Sequence, residues 1–456
     1  MELNEYAGFV KNRKQIKRFV KKNLLFILLL NFVFVYSLKA QVSRSSAKDE
    51  AIVKYMHPGE IPISKTLFFD WAGEGMITDI RDGGDTHPQT WADDNDIYIG
   101  TGDPHWFMKD GIKTHGDDPG ARDNMQDVLH KMQGQVVEKL TGNPPNVTLH
   151  RVNDMPGYMG AGGNGGKPCG MICVNGVLYY AIQNLLGMKT PPHRQGSQHG
   201  SDATIVCSKD HGKTWKPDLN TIQASLQDEQ FSQERRTWLT TEEQRKDFKG
   251  WKPMFPGSDF GGPSFVQFGK NNENAMDDYI YAISSDQWDN GQFLRLGRVH
   301  KDSIMERDKW EFYSSGNWVK DLAESTPILD IEGHISLPEM VYIPALKKYI
   351  LLTWALHTDF YTPTGSELTI LESDNMWGPF SLVYYEWMWE KRELCPYTPR
   401  IPLKWFDESS MEGYILHSGN WGYMAKDGKW IFFKEYYRPH IRKFKFGLRK
   451  DPNISN

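Results

Sequence analysis

The sequence predicts an all-β, five-bladed β-propeller with long inter-blade loops. Three observations lead there: a composition rich in aromatic and turn residues, a hairpin pattern that recurs five times, and one turn motif, SKDHGKTW, beginning at Ser208.

The composition sets the class. The 456 residues include 16 Trp, 20 Tyr, 23 Phe, 41 Gly and 25 Pro, a mixture that suits many short strands joined by turns. At 39% hydrophobic residues, the chain has material for a large core, and all-β propellers run well past the usual domain size as one unit. A net charge of −5 argues against nucleic-acid binding, which calls for a strongly basic stripe. It leaves an anionic sugar open as substrate, because a local basic pocket can sit within an acidic surface.

The N-terminus carries a targeting pattern. Lys11, Arg13, Lys14, Lys17, Arg18, Lys21 and Lys22 form a basic stretch ahead of the apolar run Leu24 to Leu38, and Ala40–Gln41 is a plausible cleavage point. The run has the length of a signal-peptide core and is short for a membrane span. The expected organisation is a signal peptide over 1–40 and a propeller over 41–456. This means a secreted or periplasmic protein without a membrane partner after cleavage; an uncleaved N-terminal anchor is the alternative. No other stretch is long enough to cross a bilayer.

The hairpins follow in order. They are Thr86 to Asp103; Lys167 to Asn184; Gly261 to Gly269, resuming at Asp277; Ser336 to Trp354; and Pro396 to Gly419. Each opens on a polar or Gly/Pro start, alternates apolar and polar residues as a strand does, and turns through a segment such as DDND, VNG or PALKK. A lone hairpin cannot bury its faces, so five of them must stack, and radial stacking into four-stranded blades is the propeller solution. The blade starts lie farther apart than in compact repeats. The surplus falls in loops Lys109 to Gln135, Gly187 to Asp202 and Thr221 to Lys249, the last with a charge-rich stretch, Leu226 to Phe248, that suits a helical insertion.

In SKDHGKTW, Ser208, Asp210, Gly212, Thr214 and Trp215 occupy every fixed position of the Asp-box of sialidase-type propellers, which the segment resembles. That box is a structural hairpin: the Asp caps the turn, the Gly takes positive φ and the Trp packs between strands. The segment Glu372 to Phe380, ESDNMWGPF, looks like the outer hairpin common in five-bladed glycosidases. Together with SFVQFG, RVHKDSI and PALKKYILLTW, these segments make the region from Thr86 to Gly419 resemble secreted five-bladed propeller carbohydrate-active enzymes, in particular those of bacterial ulvan-type (algal polysaccharide) degradation systems. The resemblance implies an oligo- or polysaccharide substrate.

Residues at the blade starts converge on the central funnel of a propeller. Here they are Asp85, His87, Lys167, Asp259, Glu339, Tyr397 and Arg400. Five-bladed glycosidases of the arabinanase and xylosidase type carry a base Asp, a pKa-tuning Asp and an acid Glu. The resemblance would place these roles on Asp85, Asp259 and Glu339, while Asp85 and Asp259 also read as turn caps beside glycines. β-Elimination at a uronic acid instead needs a cation for the carboxylate, a base and an acid. His87, Tyr397, Arg400 and Lys167 supply those types, and His193, Arg194 and His199 could overhang the site from the loop PPHRQGSQHG. Elimination, by chain cleavage or by dehydration of a terminal uronate, is the leading expectation. A glycoside hydrolase is the alternative, and a noncatalytic glycan-binding propeller is the third reading.

Other features read as structure. Tyr385, Trp387 and Trp389 alternate with period two and suit core packing more than sugar stacking. Gly157 to Gly166 lacks the helix and Lys-Ser/Thr of a nucleotide-binding turn, and no GxSxG elbow occurs. No cofactor is called for. Asp93, Asp94 and Asp96 lack EF-hand spacing and read as a solvated turn rather than a calcium site. Cys169, Cys173, Cys207 and Cys395 form no zinc spacing and read as small buried hydrophobes, with one disulfide left open.

Overall fold

The computed structural model of the protein describes residues 61–77, 83–104, 134–155, 166–185, 200–217, 252–358, 365–390, 392, 394–420, 422–424, 430–432 and 436–449. Pro58 ends one compact unit and Gly59 begins a second, to which all these residues belong. The expected signal segment, His193, Arg194, His199, the Gly157 to Gly166 segment apart from Gly166, and most of the three long loops, including Leu226 to Phe248, lie outside the described residues.

Five blades form the fold. The first strand, β1 (Leu67–Ile77), belongs to the last blade. Blade one follows as β2 (Gln89–Trp91), β3 (Ile97–Gly102), β4 (Gln135–Asn143) and β5 (Asn146–Asn153). Blade two is β6 (Lys167–Val174), β7 (Val177–Gln183) and β8 (Thr204–Ser208). Blade three contains β9 (Ser264–Phe265), β10 (Tyr279–Ser285), β11 (Gly291–His300), β12 (Glu311–Ser314), β13 (Asn317–Val319) and β14 (Leu329–Ile335). Blade four is β15 (Glu339–Ile343), β16 (Lys348–Leu356), β17 (Ser366–Ser373) and β18 (Ser381–Glu386). Blade five uses β19 (Tyr397–Arg400) and β20 (Glu412–Ser418). A side hairpin, β21 (Gly422–Met424) and β22 (Trp430–Phe432), leads to β23 (His440–Leu448), and the blade order is β19-β20-β23-β1.

All five hairpins read from the sequence are the two innermost strands of a blade. The uniform four-stranded expectation is corrected at blade three. Among the described residues blade two has three paired strands, with Cys207 bridging to Lys216 at its edge. Blade three has six, because β11 is ten residues long. Its N-terminal half pairs with β14 and its C-terminal half with β12, while Ser315–Gly316, both at positive φ, turn the extra β12–β13 hairpin.

Burial follows position in the blade. β3, β6 and β17 are buried at every residue and read as near-continuous apolar or small runs, since neighbouring blades cover both faces. The outer strand β5 alternates exposed and half-buried residues over most of its length. The ring closes twice. Ile97, Ile99 and Leu140 of blade one pack on Trp405, Leu416 and Ile441 of blade five. β1 then adds the outer strand to blade five, pairing with β23 from Leu67↔Leu448 to Trp71↔Phe444 before a register shift. β23 is therefore an interior strand of its sheet, with Phe444 and Phe446 buried.

The Asp-box forms as expected. The Gly212 N–H donates to Ser208 Oγ at 2.8 Å, Thr214 donates to Asp210 through N–H (2.9 Å) and Oγ1 (2.7 Å), and Trp215 Nε1 donates to the Gly212 carbonyl at 2.9 Å. All four cysteines are free, and three are buried. Trp389 is buried, Tyr385 donates to Glu367 and Trp387 stacks on His357, so this aromatic stripe serves packing.

Candidate active site at the funnel mouth

The first strand of each blade begins, and the second ends, at the same end of the ring. Asp85, Asp103, Lys167 and Tyr397 meet there. Asp85 is locked to the end of β3 by reciprocal backbone hydrogen bonds with Gly102, both 2.9 Å. The approach needs glycine: a Cβ at Gly102 would lie 2.4 Å from Asp85 Oδ1. Thr86 and His87 follow with φ of 67° and 38°, a costly left-handed pair that ends the loop and starts β2.

Asp85 Oδ2 accepts from the Tyr397 hydroxyl at 3.0 Å, and Tyr437 also donates to this carboxyl. Asp85 Oδ1 is buried without a hydrogen-bond partner. Burial raises the Asp85 pKa to about 7, helped by the neighbouring Asp103 and opposed by Lys167 and the two tyrosines. Lys167 Nζ forms a buried ion pair with Asp103 Oδ1. Burial, then the Asp85 charge, pushes Tyr397 and Tyr437 well above the usual phenol range, so both remain donors. Trp288 and Trp354 wall Tyr397 at ring-centroid distances of 5.7 and 5.5 Å.

A second polar layer is also buried. Glu339 accepts from Gln89 Nε2 at 3.0 Å and from the Ile401 N–H, so one carboxylate ties blades one, four and five. Burial raises its pKa against the pull of Arg400. Arg400 donates Nη1 to the Pro338 carbonyl at 2.7 Å. His87 is fully buried, and burial, then Arg400, His440 and His417, lower its pKa to about 3. It is a neutral imidazole throughout the working pH range.

The structure thus brings together six of the expected residues in two layers: Asp85, Lys167 and Tyr397 at the mouth, and His87, Glu339 and Arg400 in the buried polar layer. Asp259 stands apart from both sets, on an exposed turn 3.6 Å from Arg295. Glu339 has both oxygens engaged, unlike the free proton donor expected from blade counting. Sequence reasoning missed Asp103, the last residue of the first hairpin, and Tyr437. It also missed His334, whose Nδ1 lies 2.5 Å from Glu367 Oε1, with the Tyr385 hydroxyl 2.7 Å from Oε2. A Gly-Asp step ending a strand was the available signal for Asp103; the others carry no local signature. Asp93 and Asp94 gather with His211, their ligand-type atoms within 4.8 Å, while Asp96 pairs with Lys139 at 2.9 Å. Asp93 Oδ1 already accepts from His211 Nε2 at 2.9 Å, and Asp94 accepts from the Tyr98 hydroxyl and the Asp96 N–H, as a turn does.

Residues 162–361 match the family model described as Domain of unknown function (DUF4185). No curated protein matches the chain. Among solved structures, a proposed hydrolase from Bacteroides ovatus is 12% identical, covering 81% of this chain and 87% of its own, with a TM-score of 0.43. A xylan β-1,4-xylosidase from Bacillus halodurans is 13% identical over 82% of this chain and 54% of its own, with a TM-score of 0.43. An α-L-arabinofuranosidase from Podospora anserina is 9% identical over 85% of this chain and 99% of its own, with a TM-score of 0.37.

Proposed function

We propose that the protein is a secreted glycoside hydrolase whose working pair is Asp85 and Asp103. The observation that carries this reading is the buried carboxyl pair at the funnel mouth, with Asp85 raised to about 7 and Asp103 facing the Lys167 ammonium. Glycoside hydrolysis needs two carboxyl groups in opposite protonation states, and environments that push two acids apart supply them. Asp85 holds its proton near neutral pH and donates it to the departing glycosidic oxygen. Asp103, ion-paired with the Lys167 ammonium, acts on the anomeric carbon directly or through a water. Tyr397 and Tyr437 orient Asp85 and stabilise its carboxylate once the proton has left.

Elimination, the leading expectation from sequence, is less well served. His87, the expected acid or base, is a fully buried imidazole whose pKa falls to about 3, so near neutral pH it is a weak base with no proton to give. The test is incubation of the mature protein with neutral and uronate-containing glycans, reading new reducing ends alongside the ultraviolet absorbance of a conjugated uronate. Reducing ends without absorbance, lost in Asp85→Asn, support hydrolysis. Absorbance that survives in Asp85→Asn sinks it and restores elimination.

A further inference from the structure

The guanidinium of Arg400 is 1% exposed, yet it is only half engaged. Nη1 donates to the Pro338 carbonyl at 2.7 Å and reaches Ser264 Oγ at 3.5 Å. Nε and Nη2 have no hydrogen-bond partner. These two atoms form one complete edge of the guanidinium, the parallel fork that matches a carboxylate. His87, fully buried, has neither ring nitrogen hydrogen-bonded and lies within reach of the Arg400 charge. Gln89 Oε1, on the same inner strand of blade one, is likewise unpartnered.

Buried donors are almost always satisfied, by protein, by water or by a ligand. Glu339 does not satisfy this fork: its oxygens take Gln89 Nε2 and the Ile401 N–H, and among the described residues no ion pair joins it to Arg400. Water could meet single donors, but it supplies neither two parallel acceptors nor a counter-charge. We propose that the polar layer of the channel is an anion site, in which a carboxylate binds the Nε/Nη2 fork of Arg400 beside His87. The carboxylate is either a free small anion held inside the ring or the acid group of a uronate-bearing glycan.

The test is thermal melting of the full protein against formate, acetate, glucuronate and glucose, at constant ionic strength and pH. The expected result is saturable stabilisation by the carboxylates and none by glucose. Arg400→Lys keeps the charge and removes the fork, and should weaken binding at least about tenfold. Should that variant not fold, a crystal of the wild-type protein grown in formate decides, through a planar ligand bridging Nε and Nη2. Formate stronger than glucuronate assigns the site to a free anion; glucuronate stronger assigns it to the substrate. No saturable carboxylate effect, or one undiminished in Arg400→Lys, or only water at the fork, overturns the proposal. Asp85→Asn is expected to bind formate like the wild type, so this outcome is separable from the fate of the hydrolase reading.

Discussion

The Tyr397 hydroxyl donates to Asp85 Oδ2 at 3.0 Å across 312 residues of sequence. This contact joins the last blade's inner strand to the segment that opens the first. It also favours the ionised carboxyl, so it lowers the Asp85 pKa against burial. Tyr397→Phe should therefore push Asp85 above its present value of about 7. The activity limb that falls as pH rises should move to higher pH in this variant. A pH–rate profile checks this, and a limb that stays put or moves to lower pH contradicts the assignment.

Asp85→Asn removes the proposed acid and should lower the catalytic rate by about 10²- to 10⁴-fold. Its effect on stability has a definite sign. The ordinary carboxyl value of 3.8 becomes about 7 in the folded protein, so the native state holds this proton more tightly. That stabilisation is complete below about 4, declines as pH rises and is gone above about 7. An Asn stays neutral throughout. The melting temperature of Asp85→Asn relative to wild type should thus be higher at pH 8 than at pH 5, read by thermal melts at both.

Lys167 and Asp103 are 4% and 5% exposed, and breaking a buried pair leaves a charge alone. Lys167→Met should cost about 3–5 kcal/mol. Adding Asp103→Asn should return part of that loss, because the stranded carboxylate is gone. Lys167 also lowers Asp85, so residual activity in Lys167→Met should extend to higher pH. A double-mutant cycle by denaturant unfolding measures the coupling, and strict additivity would argue against the pairing.

Local pattern made the blades legible. Each inner hairpin keeps its partners within one short segment, and the Asp-box fixes a turn through contacts from Ser208 to Trp215. The site was legible only as a set of blade starts. Asp85, Lys167 and Tyr397 could be placed at the mouth by counting, but their surroundings could not: Asp85 has one oxygen without a partner, Glu339 has both engaged, and Asp259 is exposed. Asp103 was hidden because its meaning comes from Lys167, 64 residues on. β1 was hidden for the same reason, since its partner strand begins at His440.

That distant pairing makes ring closure testable. Phe69 of β1 is 3% exposed and stacks on Phe444 at 5.3 Å and 19°, with Tyr384 of blade four at 4.6 Å. It therefore pins the outer strand of blade five to its own sheet and to the neighbouring blade. Phe69→Ala should cost about 3–5 kcal/mol through lost burial and the cavity left behind. Phe68, 36% exposed on the same strand, should cost under about 1 kcal/mol on the same change. If closure by β1 holds the ring, Phe69→Ala should also speed proteolysis within β1 and β23 before global unfolding, whereas a purely local packing loss would lower the melting temperature without that early cleavage. Limited proteolysis with mass spectrometry of the fragments, run beside the melts, tells the two apart.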